Sequence, residues 1–102
     1  LLAGLSLGAI GAVGSTYNYM SSHYKKIINY FDTGKIEEAR KIQQFSVNMV
    51  EILNKYGGGV RAGKAIMKII GIDCGPSRAP VKIFSTSEIN SLISDLQSVG
   101  FI

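Results

Sequence analysis

The chain has little of what most enzyme sites are built from. Its 102 residues include one cysteine, Cys74, and one histidine, His23. A single cysteine excludes an internal disulfide and leaves no partner for a thiolate metal cluster, so no metal is expected and a reducing, cytoplasmic compartment is the simpler assumption. His23 has no acidic residue near it in sequence and reads as a surface helix residue rather than a general base. Cys74 lies in a Gly/Pro-bearing loop far from that histidine, which leaves a cysteine nucleophile unsupported. There is also no apolar run of the about 20 residues that a membrane span requires. The first charged residue is Lys25, yet the opening apolar run stops at Gly14 and gives way to Ser15, Thr16, Tyr17 and Asn18. A secretion signal fits poorly, because no basic region leads the run. No membrane partner is expected.

What is present is the composition of one globular domain. The hydrophobic share is 46% and the charged share 18%, which is ordinary for a folded chain. A domain of this size buries roughly 60 to 65 per cent of its unfolded surface. The net charge of +4 is uneven along the chain. Arg61, Lys64, Lys68, Arg78 and Lys82 stand against a single acid, Asp73, between residues 56 and 82. A nucleic-acid surface would need aromatic residues interleaved with these cations to stack bases, and none is there. The cluster reads as a solvated helix face, and no nucleic-acid partner is expected.

Helical signals dominate. Leu1, Leu2 and Leu5 have helical spacing, with no capping residue ahead of them. Tyr24, Ile28 and Phe31 follow i, i+4, i+7 until "DTG" at 32–34 breaks the pattern. The stripe Ile36, Ala39, Gln43, Ser46, Met49 or Val50, Leu53, Tyr56 predicts about five turns, supported by Glu37–Lys41 and Glu51–Lys55 pairs, and "GGG" at 57–59 ends it. A further helix should use Val60, Ile66, Met67, Ile69 and Ile70, followed by the irregular "DCGPSRAP". Ser85 and Glu88 form a capping box ahead of Ile89, Leu92, Ile93, Leu96 and Val99, and Gly100 closes that helix.

The stretch "GAIGAVGSTYNY", residues 8–19, departs from this pattern. A Walker loop needs Lys followed by Ser or Thr after its second glycine, and the dinucleotide fingerprint needs glycines at 1, 3 and 6. Gly8, Gly11 and Gly14 satisfy neither, so they are expected to permit close backbone packing in a short strand. A lone strand has nothing in this chain to pair with. Together with the absent initiator methionine, this suggests a segment of a larger parallel α/β fold. Functional groups in such folds sit at the carboxyl ends of strands, which singles out Ser15 and Thr16. Tyr17, Tyr19 and Tyr24 could each supply a phenol, though packing accounts for them. Lys64, beside "AIM", reads as structural rather than as a Schiff-base lysine.

"GAVGSTYNYM", "GKIEEARKIQ" and "GGGVRAGKAIMKIIGIDCGPSRAP" together resemble the C-terminal third of the N-acetylneuraminate lyases, within the family that also holds the dihydrodipicolinate synthases. "GSTYN" at 14–18 is the most specific motif. The resemblance implies a fold class of α/β, the C-terminal part of a (β/α)8 TIM barrel: residues 1–31 the last helix, strand and helix, residues 35–102 a C-terminal helical extension. It also implies a homotetrameric, cofactor-free Schiff-base aldolase that cleaves N-acetylneuraminate to N-acetylmannosamine and pyruvate. The family's catalytic lysine and tyrosine and its GTTGE-type motif have no counterpart in these residues, so no catalytic residue is expected here and the chain alone should be inactive. Ser15 carries over as a substrate-binding residue for the hydroxylated part of the sugar, and Val13 as a wall beside the pyruvyl carbons. The alternatives are a non-catalytic helical binding or assembly module that uses the apolar opening as its contact surface, or the same segment of a dihydrodipicolinate synthase-like enzyme.

Overall fold

The computed structural model describes all 102 residues and contains five helices and no strand. They are α1 (Leu2–Ser6), α2 (Tyr17–Asp32), α3 (Ile36–Lys55), α4 (Gly59–Ile69) and α5 (Thr86–Ser98). Two compact units are present, Leu1–Val47 and Asn48–Ile102. No helix is long and apolar enough to cross a membrane.

In the first unit α1 packs against α2, and the buried side chains are Leu2, Thr16, Met20, Tyr24, Ile27, Ala39 and Ser46. The buried face of α2 is turned slightly from the expected stripe: Ile27 is buried where Ile28 is exposed. The helix also begins earlier than its periodicity suggests. Residues 17–19 wind as a tight turn, Met20 departs from helical geometry (φ −122°, ψ 18°), and the regular helix follows. The bonds Tyr17 N–H to Gly14 C=O at 3.2 Å, Asn18 N–H to Ser15 C=O at 3.3 Å and Tyr19 N–H to Thr16 C=O at 3.3 Å wind this turn three residues at a time.

The expected strand is absent. Ala9 still donates its N–H to Gly4 C=O at 2.9 Å, and hydrogen bonding resumes at Gly14 C=O. Ile10 to Val13 take part in no hydrogen bond, and Leu7, Ile10 and Val13 stand almost wholly in solvent. The reason is the absence of a ladder: a strand exists only through bonds to a neighbouring strand, and this chain offers none. The glycines divide accordingly. A Cβ on Gly11 would meet nothing, whereas one on Gly14 would press on the Tyr17 ring at 3.2 Å. The close-packing role belongs to Gly14, not to Gly8 or Gly11.

The second unit is built on the last part of α3 with α4 and α5. Met49, Leu53 and Tyr56 are buried from the expected stripe. Helix α4 buries small residues, Ala62, Gly63 and Ala65, around Ile66, while Val60 and Ile70, expected to pack, are exposed. Helix α5 buries Leu92 and Leu96 and starts with the expected capping box. Glu88 N–H donates to Ser85 Oγ at 3.3 Å, and Ser85 N–H donates to Glu88 Oε2 at 2.8 Å. Lys55 and Tyr56 both donate to Asp95 Oδ2 at 2.7 Å, joining the end of α3 to α5.

Candidate functional site

Ser15 stands at the head of the turn that leads into α2, exposed to solvent. Its carbonyl accepts from Asn18, through the backbone N–H and through Nδ2 at 3.0 Å. Its hydroxyl is engaged by no other group of the chain. The N-cap of α2 is Thr16, and neither Thr16 nor Ser15 closes the helix start with a side-chain bond. A serine hydroxyl that both donates and accepts is thus presented at a fixed place, as recognition of a hydroxylated ligand requires.

The residues around Ser15 hold that place. Thr16 Oγ1 lies 2.7 Å from Tyr24 Oη, and Tyr24 Oη lies 3.4 Å from Ser46 Oγ. Gln43 Nε2 donates to Ser46 Oγ at 3.4 Å, while Gln43 Oε1 accepts from Leu2 N–H at 2.9 Å. The network therefore runs from the start of α1 through α3 and α2 to the turn. Thr16, Tyr24 and Ser46 are all buried, where an unpaired hydroxyl would cost about 1–3 kcal/mol. The Tyr17 ring stacks on Tyr24 with centroids 4.0 Å apart and planes 20° apart. Burial, and then the neighbouring Tyr24 phenol, raises the Tyr17 phenol above its ordinary value and pushes Tyr19 up to about 12. Both stay neutral at physiological pH, so the turn carries no charge of its own.

Sequence reasoning singled out Ser15 but not the network behind it. The signal was present in α3: Gln43 and Ser46 are polar residues on an otherwise apolar stripe, and such residues are buried only when something satisfies them. Val13, expected to wall the pyruvyl carbons, is fully exposed in this chain. His23 lies half-buried, stacked on Phe45 with centroids 4.8 Å apart, and burial lowers its pKa, with Lys26 adding to the effect.

A cleft of about 360 Å³ lies in the second unit, between α4 and the loop that follows it. Three of the cations that line it, Arg61, Lys64 and Lys68, are engaged by the fold. Arg61 donates to Lys82 C=O at 2.8 Å, Tyr56 C=O at 3.1 Å and Glu88 Oε1 at 2.9 Å, with its guanidinium 4.0 Å over the Phe84 ring. Lys64 donates to Pro76 C=O at 3.0 Å, and Lys68 pairs with Asp73 at 3.0 Å. Lys64 thus ties the loop to α4, as its structural reading expected. Cys74 is free and exposed on that loop.

Comparison with known proteins identifies the class first. The chain matches the structure of N-acetylneuraminate lyase from Proteus mirabilis with a TM-score of 0.89 at 33% identity, over 98% of this chain and 34% of that one. It matches the enzyme from Aliivibrio salmonicida with a TM-score of 0.90 at 30% identity, over 99% of this chain and 33% of that one. Its fold is therefore that of one part of these (β/α)8-barrel proteins. Residues 1–99 match the sequence model of the dihydrodipicolinate synthetase family, and the chain belongs to that family. It is 35% identical to the N-acetylneuraminate lyase of Rhizobium meliloti (strain 1021) over 89% of this chain and 30% of the relative. It is also 35% identical to the N-acetylneuraminate lyase of Homo sapiens over 100% of this chain and 32% of the relative. The chain spans about a third of the length of the relatives it matches.

Proposed function

We propose that these residues are the sugar-binding C-terminal part of a Schiff-base aldolase that cleaves N-acetylneuraminate to N-acetylmannosamine and pyruvate. Residues 1–31 belong to the barrel and 35–102 to a helical extension. Ser15 hydrogen-bonds the hydroxylated part of the sugar, while the lysine and tyrosine that handle the keto acid lie outside these residues. The protein works without a cofactor, as a cytoplasmic homotetramer. The observation that carries the reading is the solvent-facing, unengaged Ser15 hydroxyl at the head of a turn held by buried hydrogen bonds, in a chain of this family.

A hydrogen bond to a neutral partner contributes about 0.5–1.5 kcal/mol, and 1.4 kcal/mol is tenfold in an equilibrium constant. Ser15→Ala in the full-length polypeptide should therefore raise KM for N-acetylneuraminate by roughly threefold to tenfold. Borohydride trapping of the pyruvate adduct should be unchanged, because that chemistry is done elsewhere. Steady-state cleavage assays check this, and an unaltered KM would refute the role given to Ser15. The almost wholly exposed Leu7, Ile10 and Val13 favour a second reading, a contact surface of an assembly module. Family membership over nearly the whole chain favours the aldolase.

A further inference from the structure

We propose that Tyr24 is the positioning residue of the Ser15 turn, acting through Thr16, and that its hydroxyl, more than its ring, sets how tightly a polyhydroxylated substrate is held. The inference rests on the reading of Ser15 as a sugar-binding hydroxyl. It begins with a cap that is not made. A threonine at a helix N-cap normally turns its hydroxyl onto the backbone N–H groups of the first turn. Thr16 occupies that position in α2 and makes no such bond. Its hydroxyl lies instead 2.7 Å from Tyr24 Oη, in the interior.

The geometry of the turn follows from that choice. With the cap given up, the entry to α2 is not set by helix-start chemistry, and the backbone departs from helical geometry at Met20. Tyr24 grips both flanks of Ser15. On one side its hydroxyl holds Thr16; on the other its ring stacks on Tyr17, which in turn lies against Gly14. Tyr24 is itself anchored, since Ser46 Oγ and then Gln43 continue the chain of bonds to the Leu2 backbone. Ser15 is thus the one residue of "GSTY" whose side chain is left outward, between neighbours fixed from within.

The two contributions of Tyr24 are separable. Phenylalanine at 24 keeps the stack on Tyr17 and nearly the same volume, and deletes only the hydroxyl, with its bonds to Thr16 and to Ser46. Because the substrate contact is lost without touching the reacting carbon, the effect should fall on KM and leave kcat within about twofold. Small misplacements of a binding group are costly, so a KM rise on the order of threefold to tenfold is expected.

The test uses the full-length polypeptide with Tyr24→Phe, Thr16→Val, Thr16→Ser and Ser15→Ala, each assayed for N-acetylneuraminate cleavage and for borohydride-trapped pyruvate adduct. The expected result is a raised KM in Tyr24→Phe and Thr16→Val, near-native KM in Thr16→Ser, and an unchanged adduct in all four. If Tyr24→Phe does not fold, Thr16→Val against Thr16→Ser carries the comparison alone. An unchanged KM in Tyr24→Phe and Thr16→Val beside a raised KM in Ser15→Ala overturns this proposal and leaves the Ser15 reading standing. An unchanged KM in Ser15→Ala overturns that reading itself. A fall in trapped adduct in Tyr24→Phe would mean general loosening of the fold, and would also overturn the positioning role.

Discussion

At the scale of single residues, Glu88 links several parts of the second unit through one carboxylate. The Ser85 backbone N–H, then the Arg61 guanidinium and the Ser85 hydroxyl, hold it down at about 2, against an ordinary 4.5. A carboxylate whose pKa is depressed by folding stabilises the folded state fully above its unfolded value, and that contribution is lost as pH falls towards the folded value. The window here runs from 4.5 down to about 2. Glu88→Gln should lower the melting temperature at about pH 7, and the gap to the parent chain should narrow by about pH 3, where the carboxyl of the unfolded chain is already protonated and holds its proton more tightly than the folded one. Thermal melts followed by circular dichroism test this, and a gap constant with pH would disprove it. This box was legible in the sequence because it is local: Ser85 and Glu88 are three residues apart, and their spacing alone brings them together. The Thr16–Tyr24–Ser46–Gln43 network was not, because its bonds cross between helices and no local spacing encodes them. Ser15 is singled out only by the distinctive motif that surrounds it.

At the scale of elements, the boundaries depend on a few backbone conformations. Gly58, the N-cap of α4, has φ 88° and ψ 176°. That region is open essentially to glycine alone, and forcing another residue into it costs about 1–3 kcal/mol. Gly58→Ala should therefore lower the melting temperature by roughly 5 to 15 °C in a domain of this size. Gly11→Ala, where an added Cβ meets nothing, should shift it by no more than a degree or two, roughly the scale of a neutral surface change. Comparable losses at both positions would contradict this account. The four long helices were legible because periodicity and glycine stops agree along each of them. The phase of α4 was misread because its buried face is made of Ala62, Gly63 and Ala65, which carry little hydropathy signal beside the larger but exposed Val60 and Ile70. The expected strand failed for a different reason. Apolar, glycine-spaced residues are compatible with a strand, but compatibility forms no hydrogen bonds without a partner.

At the scale of the whole molecule, the question is whether these residues can do the keto-acid chemistry themselves. An imine forms when an unprotonated amine attacks the C2 carbonyl of pyruvate and water leaves, so the lysine must be held in surroundings that favour loss of its proton, as an apolar pocket does. No lysine here is placed that way. Lys25, Lys26, Lys35, Lys41, Lys55, Lys68 and Lys82 are exposed. Lys64, the one half-buried lysine, directs its amine at the carbonyls of Pro76 and Cys74. Incubating the 102-residue chain with pyruvate and borohydride should therefore leave its intact mass unchanged, while the full-length polypeptide treated in the same way should gain one reduced pyruvyl group. A stable adduct on Lys64 of the short chain would place the imine lysine inside these residues and overturn the division proposed above, in which this part holds the sugar and another part holds the keto acid. Adduct formation on neither polypeptide would remove the Schiff-base mechanism itself, and with it the reason for Ser15 to face a sugar cleaved by that chemistry.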